Sequence, residues 1–95
     1  MKIAKRELSA AIILYRLYGE ASVNLGLAID TLREELGVTK KVAMSIVKRL
    51  RKLGFLTVES DNLKVEVKVR NPCSVIEEYA LRYAEARKHR KASKS

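Results

Sequence analysis

Tryptophan and glutamine are missing from these 95 residues, and cysteine, histidine, proline and phenylalanine each occur once. A lone cysteine, Cys73, rules out an intrachain disulfide and any cysteine-based metal cluster, so it reads as a small half-buried residue just ahead of a helix. A lone histidine, His89, lies in a basic tail with no metal or catalytic partner in view. No stretch approaches the roughly 18 consecutive apolar residues of a membrane span, and the opening "MKIAKRELSA" lacks the apolar centre of a signal peptide. A cytoplasmic location is therefore expected. No nucleophile and base stand together, and Glu34 with Glu35 reads as the solvated side of a helix, so neither an enzyme nor a cofactor or metal is expected. The abundance of Lys, Arg and Glu beside the missing Gln matches the charge-rich composition of heat-adapted proteins and suggests a thermophilic, archaeal source.

What is present points elsewhere. The chain has enough residues for one core, 47% of them hydrophobic, and carries a net charge of +9. That excess of one sign favours a polyanionic partner, with nucleic acid ahead of an anionic membrane surface.

Periodicity divides the chain into a first helix over about Lys5 to Tyr18, a second from Leu25 to Leu36 and a third from Lys40 to Leu53, with Gly19, Gly37 and Gly54 as stops. On the first, Leu8, Ala11, Ile12, Tyr15 and Tyr18 form one apolar side, and Ala10, Ile13, Leu14 and Leu17 make the other side apolar too. A helix apolar nearly all round is normally covered on two sides. "EASVN", residues 20 to 24, is a short connection with extended potential, and Asn24 or Ser22 is suited to cap the second helix. "FLTVE" and "LKVEVKV" read as the strands of a hairpin turning at Ser60, Asp61 and Asn62. Asn71 and Pro72 end the second strand, and Ser74 with Glu77 has the spacing of a capping box opening a fourth helix. The expected division is residues 1–72 as one domain, 73–88 as a C-terminal helix and 89–95 as a disordered basic tail.

The third helix carries the functional signal. Between Lys40 and Lys52 it holds six cations and no acid. At about 100° per residue, Ala43, Ile46, Val47 and Leu50 form a buried stripe, which places Lys41, Met44, Ser45, Lys48 and Lys52 opposite, Lys40 and Arg51 beside them and Arg49 nearer the apolar edge. A helix needing only solubility gains from mixed signs, so an acid-free face implies an external anion, although a merely solvated basic face is the plainer alternative.

In its order of helix, helix, tight turn, helix and hairpin, the chain resembles the winged helix-turn-helix family over roughly residues 5 to 70. The resemblance rests on "LREELGVTKKVAMSIVKRLRKLGFL", where Leu32, Leu36, Gly37 and Val38 match the turn, Ala43, Ile46 and Leu50 match the buried side of the recognition helix, and "LRKLGFL" matches the lead into the wing. Arg33 departs from the small residue usual four before the turn glycine. The resemblance implies a mainly α fold with a small antiparallel β-hairpin and an added C-terminal helix. It further implies duplex DNA as partner, with base contact from Thr39, Lys40, Lys41, Met44, Ser45 and Lys48 and backbone contact from Arg51 and Lys52. Lys64 and Lys68, on the outer side of the second strand, are better phosphate contacts than the acidic tip at Asp61. A homodimer is expected, using Leu14, Leu17, Ile76, Tyr79 and Tyr83. The expected role is transcription regulation; an adaptor subunit in a transcription or replication assembly and a sequence-neutral architectural protein are the rivals.

Overall fold

A computed structural model describes the backbone of residues 3–61 and 64–93, with side chains described for all of these but 60, 61, 64 and 89–93. Four helices and three strands follow in the order α1 (Lys5–Tyr18), β1 (Ser22–Asn24), α2 (Leu25–Leu36), α3 (Lys40–Leu53), β2 (Leu56–Asp61), β3 (Lys64–Val69) and α4 (Pro72–Ser93). The protein is thus mainly helical with a small antiparallel sheet, ordered β1-β3-β2.

The sheet has one strand more than the hairpin expected from sequence. Ser22, Val23 and Asn24 pair with Lys68, Val67 and Glu66, making β1 an edge strand on the far side of β3. Ser60 and Asp61, assigned above to the turn, continue β2, and Asp61 is opposite Lys64. Asn62 and Leu63 lie outside the described residues.

Polar atoms define the helix starts. The Asn24 side chain accepts from the Gly26 N–H at 2.9 Å, and Thr39 accepts from the Val42 N–H at 3.3 Å. Gly37, left-handed at φ 63°, ends α2 and leaves only Val38 and Thr39 before α3. α4 begins earlier than the capping-box reading required. Asn71 accepts from the Cys73 N–H at 2.9 Å and Pro72 occupies the first helical position, where its fixed φ is already helical and its missing N–H costs nothing. Ser74 is therefore inside the helix, and Cys73 is exposed rather than half-buried.

The core gathers Ala10, Ala11 and Leu14 of α1, Ala28, Ile29 and Leu32 of α2, and Ala43, Ile46, Val47, Leu50 and Leu53 of α3. Phe55, Leu56, Val67 and Val69 close it from the sheet and Val75 from α4. Tyr18 and the buried Thr31 tie α1 to α2 at 2.7 Å. Since the Thr31 hydroxyl donates to the Leu27 carbonyl, Tyr18 is the donor to Thr31. Arg33 stays exposed and meets Asp30 at 3.7 Å, leaving its head in water.

Among its described side chains, α4 docks only by those of its opening turns. Pro72 and Val75 are buried and Tyr79 half-buried, whereas every residue from Ala80 to Lys88 is exposed. Its helical backbone continues to Ser93, across residues 89–93 where the sequence suggested a disordered tail. The overhang gives the molecule extents of 54 × 30 × 21 Å and a radius of gyration of 15.7 Å, against about 12 Å for a compact chain of this length.

Candidate nucleic-acid interface

α3 combines a deep apolar side with an uncovered basic one. Ala43, Ile46 and Leu50 are fully buried and Val47 and Leu53 nearly so. Lys40, Lys41, Met44, Ser45, Lys48, Arg49, Arg51 and Lys52 are exposed. Among the described residues Lys40, Lys41, Lys48, Arg51 and Lys52 have no carboxylate within ion-pair distance. Arg51 and Lys52 fall in the last turn, where the helix dipole welcomes a cation. Lys40 and Lys41 fall in the first turn, which holds no acid, and there the dipole opposes them by about 0.3–1 kcal/mol each. The fold thus places two cations where its own electrostatics are adverse.

Thr39 flanks this surface, but its hydroxyl oxygen is engaged in capping α3. The side chain of Lys64 lies outside the described residues. Lys68 is exposed on the outer face of β3 between Ser22 and Thr57. Beyond it, Glu66 and Glu59 face each other across β3 and β2, and Glu59 also accepts from the Ser22 hydroxyl at 3.3 Å. Two carboxylates side by side weaken this strand as a phosphate contact and leave α3 as the dominant basic surface.

The residues expected at a dimer interface separate into three settings. Leu14 is fully buried in the core, a correction to its interface role: α1 turns Glu7, Ala10, Ala11 and Leu14 inward, with Leu8, Tyr15 and Tyr18 packed half-buried beside them. Leu17 is 54% exposed and shares a groove with Ile13, Arg16 and Glu35. Ile76, Tyr79 and Tyr83 line a second groove on α4 with Ala80 and Arg82. There Tyr79 is partly a lid on its own domain, its hydroxyl donating to the Leu53 carbonyl. Tyr83 is 62% exposed and accepts from Arg87 at 2.9 Å.

Sequence reasoning missed an acid. Glu7 is buried in the first turn of α1 and pairs with Arg49 of α3 at 3.5 Å and Arg6 at 3.3 Å. The available signal was a carboxylate one turn before Ala10 and Ala11 and two turns before Leu14 on the same helix side. At the foot of α4, Arg70 donates to the Gly54 carbonyl at 3.2 Å and to Glu78 at 2.8 Å. That hydrogen bond, then the charge of Arg70, holds the Glu78 carboxyl below its ordinary value of 4.5.

Among the described residues no three His, Cys, Asp or Glu side chains gather to hold a metal, and no helix is long and apolar enough to cross a membrane. No family model, curated protein or solved structure matches the chain.

Proposed function

We propose that this protein is a winged helix-turn-helix, double-stranded DNA-binding transcription regulator of the cytoplasm, acting as a homodimer. In this reading α3 enters a major groove about 12 Å wide, with Lys41, Met44, Ser45 and Lys48 toward base edges and Arg51 and Lys52 at phosphates. The observation that carries it is the acid-free outer face of α3, with five unpaired cations among the described residues and two of them against the helix dipole. A duplex supplies the negative charge the chain withholds. The reverse side of α3 is wholly committed to the core, so the basic face can be presented without loosening the fold.

The homodimer is supported by α4. From Ala80 to Lys88 every residue is exposed, and a helix of that length is marginal alone in water. Its second turn carries Glu77 and Glu78 and the next turn Arg82, so two copies laid antiparallel along Ile76, Ala80 and Tyr83 bring the carboxylates of one against Arg82 of the other.

Titration with a random duplex pool, followed by sequencing of what is retained, tests the reading. A regulator enriches a motif; uniform retention supports the architectural rival, and absence of binding even at low salt leaves the adaptor.

A further inference from the structure

Glu7 gathers two arginines at the edge of the basic α3 face. Glu7 is 2% exposed, and a buried carboxylate is costly unless cations compensate it. Both available cations approach the same oxygen, Oε1: Nη2 of Arg6 at 3.3 Å and Nε of Arg49 at 3.5 Å. Oε2 is buried with no hydrogen-bond partner among the described residues. The two arginine side chains are 51% and 54% exposed, so each is tied at one edge and open to solvent at another. Arg49 comes closest through Nε, and no other ion-pair or hydrogen-bond partner holds its head among the described residues. A guanidinium fixed on one edge and free on the other suits phosphate, whose oxygens accept two parallel N–H bonds. Arg49 lies at about 180° on the α3 wheel, against about 140° for Ser45 and 120° for Lys52, on the flank turned toward α1.

We infer that Arg6 and Arg49, organised by the buried Glu7, form a second binding site for a nucleic-acid backbone phosphate, at the α1–α3 edge beside the groove-reading face. The inference rests on the DNA reading above. It assigns α1 a part in binding and makes Glu7 a positioning residue, although its charge opposes that of DNA.

The test compares salt dependence on a random-sequence duplex for the wild-type chain, Glu7→Gln, the triple variant Glu7→Gln with Arg6→Gln and Arg49→Gln, and Lys41→Ala with Lys48→Ala. The triple variant removes the buried charge together with both partners, so no orphaned carboxylate remains. Its log–log slope should be smaller than that of Glu7→Gln by at least about 0.9, the contribution of one neutralised phosphate. An unchanged slope overturns the site. Glu7→Gln alone keeps both cations and should keep the slope while weakening binding about threefold through loss of the tether. Tighter binding by Glu7→Gln would mean a merely repelling charge and would remove the positioning role. If the triple variant melts below the assay temperature, Glu7→Met with Arg6→Gln and Arg49→Met reads the same slope, because apolar residues of similar volume replace a buried pair at little or no loss of stability. A slope lowered by Lys41→Ala with Lys48→Ala but not by the triple variant ends this inference and leaves the DNA reading standing; a wild-type chain that ignores duplex at low salt ends both.

Discussion

Lys41 and Ser45 stand about one turn apart on α3, exposed and clear of its apolar stripe. Replacing both with Ala should reduce discrimination between a preferred and a random duplex by about 1–3 kcal/mol per lost base contact. Arg51→Ala with Lys52→Ala should instead weaken all duplexes alike and flatten the salt slope. Competition binding checks both, and melting curves for Lys41→Ala with Ser45→Ala should stay close to wild type, since no core contact is lost. A second prediction concerns Glu78. Its pKa is depressed in the fold, so the pair with Arg70 stabilises above pH 4.5 and its contribution disappears as pH falls through the lowered value. The melting temperature of Glu78→Gln should therefore fall short of wild type near neutral pH and meet it at strongly acidic pH. At this scale the α3 faces were legible because helical geometry alone decides which residues share a side. Leu14 was misassigned because α1 is apolar nearly all round, and periodicity then names no inner face. The Glu7–Arg49 pair joins residues 42 positions apart (49 − 7), which no local pattern encodes.

The elements were legible where they are long. The three helices after which Gly19, Gly37 and Gly54 fall were readable from their stripes and stops, whereas β1 spans three residues and exists because β3 offers it an edge. Asn71 and Pro72 were readable as a strand ending but serve equally as a helix opening, since a capping oxygen and a fixed φ suit both. Gly54 closes α3 at φ 90°, and a Cβ there would meet only the Arg70 guanidinium at 3.8 Å and Val75 at 4.0 Å. Gly54→Ala is thus opposed by backbone strain rather than space. It should cost about 1 kcal/mol, or roughly 4–8 °C in melting temperature. α4 gives the element-scale test of association. Ending the chain after Arg82 keeps Val75 and Tyr79 on the core while removing most of the overhang. That variant, which lacks Tyr83 of the proposed pairing face, should fold and scatter light as a monomer, whereas the full chain should scatter as a dimer.

Over the whole molecule the net charge of +9 dominates the expected solution behaviour. Phosphate neutralisation at α3, repeated on two subunits, should give duplex binding a log–log salt slope of at least about 4 in magnitude, measurable by titration across a range of salt concentrations. The charge favours a polyanionic partner, but in the proposed dimer the placement of the two basic faces would depend on α4. A helix advances about 1.5 Å and turns about 100° with each residue. If two copies pair along α4 as proposed, the position of the pairing face relative to the residues docked on the core is therefore a ruler with a phase. It would then fix how far apart the two α3 helices stand and which way each is turned, and in DNA binding it would have to match the roughly 34–36 Å repeat of successive major grooves on one side of a duplex. One residue inserted just before Ala80 would leave every basic side chain of α3 in place and still turn Ala80 and Tyr83 about 100° away from Ile76, so association, and with it any operator spacing, would answer to a stretch of chain that never touches a base.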